Sequence, residues 1–353
     1  MKNDYLKGRG AQFNAPNRFQ ALRIEPDEEQ NVPDDDFPEP TVRTQFYEEN
    51  PKQIVSRPNS PDIGLIASVN PYMGCEHGCI YCYARNSHEF WGFSAGLDFE
   101  SKIMVKKNAP ALLEKEFLSK NYEPEVIHLS GNTDCYQPAE RRFQLTRRIL
   151  EQCLIYRNPV SIITKNALIL RDKDLLQQLA AQNLVMVLIT ITTLDDKLRQ
   201  AMEPRTVTAK RRLQVVAELT KAGIPVGVMT APIIPGLTDQ EIPKLIEAAA
   251  RHGASCAGYT IVRLNGAIGP LFEDWIRKNY PDRADKVLNQ IRECHGGQLN
   301  DSRFGTRMSG EGKYAEQIRQ FHDIALQKYM PNHAFPKLDT TRFLRKRQLN
   351  LFG

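Results

Sequence analysis

From about residue 66 onward the chain alternates short runs of consecutive apolar residues with longer stretches in which apolar side chains recur every three or four positions. The short runs predict strands over 66–72, 126–131, 160–165, 185–192, 226–234 and 257–264. The longer stretches predict helices over 109–120, 139–156, 172–182, 209–222 and 239–252. Gly223 and Gly253 stand where a left-handed residue ends a helix, and Thr238 with Glu241 has the spacing of a reciprocal N-terminal cap. Strand and helix alternating at this length mean parallel strands joined by right-handed crossovers, and nearly all-apolar strands mean burial on both faces. Six such units predict an α/β fold of the partial (β/α)6 TIM-type barrel kind. Past Leu264 only helical patterns follow, as in "RADKVLNQIREC" and "KYAEQIRQFHDIALQKYM", so a full eight-stranded closure is not expected.

Ahead of this body, residues 1–60 lack apolar periodicity, and "EPDEEQNVPDDDFPEP" combines acid runs with prolines. Composition therefore predicts an acidic, loosely ordered N-terminal arm over 1–60, a core domain over 61–270, a C-terminal helical extension over 271–335 and a basic tail over 336–353. Charge follows the same division. Residues 1–50 carry 6 Lys or Arg against 11 Asp or Glu, whereas the remaining 303 carry 41 against 31. A basic body suits polyanionic partners such as DNA. The longest nearly continuous apolar run, 184–191, is far short of the ~20 residues that span a bilayer, and no membrane partner is expected. The first fifteen residues lack a signal-peptide core, which predicts a cytoplasmic protein.

Seven cysteines then become informative, because three of them crowd into "GCEHGCIYCYAR" as Cys75, Cys79 and Cys82. In a chain of this class they argue for metal ligands and against a disulfide framework. Gly74 and Gly78 allow the turns that close such a loop around a compact object. That object is a zinc ion completed by a ligand such as His77 or His88, or an iron–sulfur cubane with one iron left open. Zinc loops more often come as two C-x2-C pairs, and no second pair follows.

The C-x3-C-x2-C spacing, with aromatic Tyr81 before the last cysteine and its place after the first predicted strand, resembles the signature of the radical SAM superfamily over about residues 60–270. "CIYCYAR" together with "GNTDCYQPAE" is similar to the bacterial branch related to spore photoproduct lyase. The resemblance implies a [4Fe–4S] cluster on Cys75, Cys79 and Cys82 whose open iron binds S-adenosyl-L-methionine. It also implies a flavodoxin- or ferredoxin-type electron donor and lyase-type radical chemistry on nucleic acid, as in DNA repair. By position, Asn132, Thr133 and Asp134 after the second strand, and Thr164 and Lys165 at the end of the third, are expected to bind the cofactor. Cys135, with Tyr136 beside it, is the candidate hydrogen donor by resemblance, although offset from the family's donor position; the alternative for a free cysteine is a small core residue. Cys153, Cys256 and Cys294, and the strand threonines Thr190 and Thr192, read as structural, and His128 as a core histidine. Arg141, Arg142, Arg147 and Arg148 read as a solvated helix face.

The chain ends "RKRQLNLFG". Gln348, Leu349, Leu351 and Phe352 form a Q-L-x-L-F pattern similar to the peptides that dock on the bacterial sliding clamp, and apolar residues at an exposed terminus need a groove to receive them. If the tail carried the function, the alternative would be a metal-containing adaptor without catalysis.

Overall fold

The computed structural model describes residues 5–19, 42–62, 64–65 and 67–345. Six parallel strands form its frame: β1 (Ala67–Val69), β2 (Ile127–Leu129), β3 (Val160–Thr164), β4 (Val185–Thr190), β5 (Val226–Met229) and β6 (Cys256–Gly258). They lie side by side in chain order, with Ala67 opposite Ile127, Ile127 opposite Val160, Val160 opposite Val185, Val187 opposite Val226 and Gly227 opposite Cys256. One further strand, Val55–Ser56, pairs antiparallel with β1 at the sheet edge. This is the partial barrel the alternation predicts. All six β4 residues are buried, as a strand covered on both faces requires.

Crossovers are made by α1 (Ala109–Leu118), α2 (Leu145–Tyr156), α3 (Lys173–Ala180), α4 (Ala209–Lys221) and α5 (Ile242–Arg251). Alternate strand residues divide between two cores. Val185, Val187, Ile189, Ile162, Val226 and Val228 pack under the helices, whereas Met186, Leu188, Cys256 and the partly buried Ile163 and Met229 line the other face, where Leu338 also packs. Three helices follow: α6 (Ile268–Asn279), α7 (Pro281–Cys294) and α8 (Gly312–Tyr329). The last places Ala315, Ile318, Ala325 and Leu326 in the barrel's own outer core, so the helical extension shares a core with the barrel. None of the helices among the described residues is long and apolar enough to cross a membrane.

Local departures from the sequence reading have local causes. The predicted 139–156 helix breaks at Gln144, which takes a left-handed conformation because the Glu140 carboxylate turns back to accept from the Thr146 N–H at 3.0 Å. The expected cap at Thr238 does not form. Its hydroxyl accepts from Ile234 N–H at 2.9 Å, and Glu241 reaches instead to the Thr193 hydroxyl at 2.8 Å. Gly223 and Gly253 do take the left-handed conformation, at φ +77° and +95°.

Part of the N-terminal arm packs on the core. Arg9, Gly10, Ala11 and Ala15 are buried, and Gln45–Glu48 pairs parallel with Lys102–Val105 in a small three-stranded sheet. Acid- and proline-rich residues 20–41 lie outside the described residues.

Candidate active site

The cysteine loop leaves β1 through Tyr72–Met73 and lies at the carboxyl ends of the strands. Gly74 and Gly78 turn it at φ +78° and +66°. At both positions a side chain would collide with the fold: a Cβ on Gly74 would lie 2.9 Å from the Lys102 carbonyl oxygen, and one on Gly78 2.8 Å from the Glu100 carboxylate. Cys75 and Cys79 are buried and Cys82 is half-buried.

Four polar braces hold the loop. Behind it, Arg85 and Glu100, both fully buried, form an ion pair at 2.5 Å. Arg85 also donates to the carbonyls of Cys79 (3.0 Å), Ala95 (3.1 Å) and Gly96 (3.0 Å), while Glu100 accepts from Gly10 and Ala11 N–H at 3.0 and 2.8 Å. On the β4 side, the Tyr81 hydroxyl donates to the fully buried Glu203 carboxylate, which pairs with Arg212 and accepts from Thr192 at 2.8 Å. Toward β2, Gln137 accepts from Glu76 N–H and donates to the Gly74 carbonyl, both at 3.0 Å. Toward β3, the His77 ring meets Asp134 at 3.3 Å and Asn166 at 3.2 Å.

Asp134 is the hub of the β2 and β3 ends. It accepts from Tyr136 N–H (2.8 Å), the Thr164 hydroxyl (2.7 Å) and Lys165 N–H (2.8 Å). Burial would raise its pKa, but His77 and these donors outweigh burial and bring it down to about 2. Glu203 is likewise brought to about 2, with Arg212 and Lys165 overcoming its burial. Thr133 is committed to the turn, its hydroxyl donating to the Tyr72 carbonyl at 2.6 Å. Asn132 lies in the same turn, with its amide 3.3 Å from the Ser87 hydroxyl. The half-buried Lys165 ammonium has no ion pair or hydrogen bond among the described residues and stands 5.9 Å over the Tyr81 ring. Cys79 and Glu203 raise its pKa against burial.

Cys135 and Tyr136 close the β2 turn. Both belong to the main hydrophobic core, fully buried, and the Tyr136 hydroxyl donates to Asp172 at 3.1 Å. Burial pushes the Cys135 thiol well up. The Cys135 carbonyl accepts from the Thr146 hydroxyl of α2 at 2.6 Å, so the pair ties the β2 turn to α2 and to the segment ahead of α3. Among the residues not foreseen, Glu100, Glu203 and Arg212 come from distant parts of the chain, and no local pattern marks them. Gln137 lies within the "GNTDCYQPAE" stretch already singled out.

The donor set fits an iron–sulfur cluster better than a lone ion. Zinc needs its donors about 2.3 Å away. No three His, Cys, Asp or Glu side chains among the described residues converge closely enough to hold a single metal ion. His77 is engaged with Asp134, and His88 is buried between the rings of Phe93 and Phe99. Yet the three thiols lie within electrostatic range of one another, each with its pKa raised by burial, Cys79 to about 12. Thiols so placed become thiolates only when a cationic metal centre compensates them, and Lys165 and Arg85 add positive charge beside Cys79 and Cys82.

Known proteins agree with this geometry. The radical SAM superfamily model matches residues 69–249. An uncharacterized protein of Mycobacterium tuberculosis is 33% identical over 253 residues, covering 71% of this chain and 73% of that protein. An uncharacterized protein of Methanocaldococcus jannaschii is 29% identical over 222 residues, covering 63% and 79%. Among solved structures, spore photoproduct lyase complexed with dinucleoside spore photoproduct aligns with a TM-score of 0.59 at 14% identity, covering 83% of this chain and 82% of that one. A variant of that enzyme with bound AdoMet and the same dinucleoside aligns equally well. At that identity the likeness is one of fold.

Proposed function

The chain belongs to the radical SAM superfamily, and from that premise we propose that it cleaves S-adenosylmethionine reductively at a [4Fe–4S] cluster and acts on nucleic acid. The cluster, when bound, supplies the electron that splits the sulfonium cofactor into methionine and a 5′-deoxyadenosyl radical. Cys75, Cys79 and Cys82 would hold it. The protein's own contribution is position and dryness. Gly74 and Gly78 shape the loop, Gln137 locks its entry, and the Arg85–Glu100 and Glu203–Arg212 pairs fix its two flanks. Burial of the thiols keeps water from the reacting groups. Lys165 offers an uncommitted cation for the cofactor's carboxylate, and Asn132 an amide on the turn beside it.

The observation that carries the reading is the seat of the cysteine loop: three thiols from one turn, held at the carboxyl ends of parallel strands, beside a lysine whose ammonium has no hydrogen bond or ion pair among the described residues. Nucleic acid is favoured as substrate by the basic body and by exposed aromatic rings on the 3-10 helix that leaves Cys82, at Tyr83, Phe90 and Trp91. The enzyme of like fold is solved with a dinucleoside lesion.

Protein purified without oxygen is expected to contain iron and sulfide and to release 5′-deoxyadenosine from S-adenosylmethionine on reduction. Cys75→Ala, Cys79→Ala and Cys82→Ala should each abolish both properties. A cluster-loaded wild type that releases no 5′-deoxyadenosine would overturn the reading.

A further inference from the structure

Two Lys or Arg side chains among the described residues are partly buried yet have no hydrogen bond or ion pair on their charged group: Lys165, already at the cysteine loop, and Arg263. Arg263 lies five residues beyond β6, and the backbone on both sides of it is pinned. Val262 N–H donates to the Ile233 carbonyl at 2.9 Å, and Leu264 N–H to the Leu299 carbonyl at 3.0 Å. His295 adds a contact to the Val262 carbonyl at 2.8 Å.

Four charged or titratable groups act on it most strongly, and His295 lies near as well. Tyr83, which follows the last loop cysteine, lies within electrostatic range, as do Arg307, Asp62, Asp301 and His295. Both carboxylates are spent elsewhere. Asp62 takes Arg307 and the Gly305 N–H at 2.5 Å, and Asp301 takes Arg303 at 2.9 Å. A guanidinium half-removed from water beside another arginine is costly unless an anion arrives. The neighbouring Tyr83 side chain is half exposed and donates to the Gly131 carbonyl in the β2 turn, which ties Arg263's surroundings to the mouth of the site.

We propose that Arg263 is a substrate-binding residue that receives a backbone phosphate of the nucleic acid at the mouth of the site, leaving Lys165 to the cofactor. This rests on the nucleic-acid reading above and adds a residue and a ligand group to it. Guanidinium geometry suits phosphate, and a rigid backbone sets where the phosphate must lie.

The test compares cluster-loaded wild type with Arg263→Ala and Arg263→Lys. Probes are a fluorescent short oligothymidylate and its uncharged methylphosphonate counterpart, with thermal unfolding checking that each variant folds. Wild type should prefer the phosphodiester. Arg263→Ala should weaken that binding on the order of tenfold, erase the preference, and flatten the slope of log affinity against log salt by about 0.7, with Arg263→Lys intermediate. Equal phosphodiester affinity and salt slope in Arg263→Ala would overturn the proposal while leaving the nucleic-acid reading intact. Loss of cofactor cleavage without nucleic acid would also overturn it, by giving the arginine to the cofactor. A wild type that cleaves the cofactor but binds neither probe would overturn the nucleic-acid reading, and the proposal with it.

Discussion

Asp134 shows at the scale of one residue how a site is held by charge. Sequence position placed it near the cofactor, but not the His77 ring, the Thr164 hydroxyl and the two N–H groups that converge on it. Its folded pKa, about 2 against an ordinary 3.8, is depressed, as is that of Glu203, about 2 against 4.5. A depressed folded pKa contributes stability that is present above the unfolded value and lost as pH falls through the folded one. Urea unfolding followed by circular dichroism should therefore show stability level at neutral pH and falling progressively from about pH 4.5 toward pH 2. Asp134→Asn should remove on the order of 2 kcal/mol at pH 7 and flatten part of that acid limb. An unchanged limb in the variant would mean that Asp134 does not carry the linkage. The place of the cysteine loop was legible because it follows the first strand in sequence, and that of Lys165 because it ends the third. Whether Cys135 and Tyr136 pack or react was not legible, because spacing cannot say which side of a turn a side chain takes.

Elements divide by how local their causes are. Strands β1 to β6 and their helices follow from apolar periodicity, and each was legible, although the strands end sooner than the apolar runs do. Past their carboxyl ends the backbone turns to the site, and apolar residues such as Ile233 and Ile261 continue in loops joined by a single bridge. The break at Gln144 and the missing cap at Thr238 were not legible, because in the first the Glu140 side chain captures the Thr146 N–H and in the second Glu241 is taken by Thr193. The 3-10 helix Tyr83–Trp91 and the short helix Leu97–Ser101 present Arg85 and Glu100 to one another behind the cysteine loop. Glu100→Gln should leave the Arg85 charge buried without its partner and cost about 3–5 kcal/mol in urea unfolding. Replacing both residues with apolar ones of similar volume should cost more than the single change, because the carbonyls of Cys79, Ala95 and Gly96 and the N–H groups of Gly10 and Ala11 then lose their partners as well. The reverse order would show that these backbone bonds contribute less than the ion pair.

At the scale of the whole molecule, the N-terminal residues wall in the cysteine loop. Gly10 lies so close to Gly78 that a Cβ there would sit 1.8 Å from its carbonyl oxygen, Arg9 donates to the Glu100 carbonyl at 2.8 Å, and Asn17 donates to the carbonyls of Glu89 and Phe93 at 2.9 and 3.1 Å. A variant lacking residues 1–19 should bind iron anaerobically but lose its iron–sulfur absorbance in air faster than the full chain. Equal bleaching rates would show that the segment shields nothing. Composition concealed this contact, since small and polar residues bury themselves only where a partner surface of the right shape exists. At the other end, Phe343 packs among Phe117, Tyr122 and Tyr156, and Arg345 donates to the Tyr122 carbonyl at 2.8 Å, while Gln348, Leu349, Leu351 and Phe352 lie outside the described residues. What the sequence alone determined was the barrel order and the three-thiol loop, because periodicity and spacing act between neighbours in the chain. Which charges brace that loop, which cations among the described residues have no ion pair, and how the N-terminal residues cover it were decided only by tertiary structure, because burial and ion pairing depend on residues that folding brings together from anywhere in the chain.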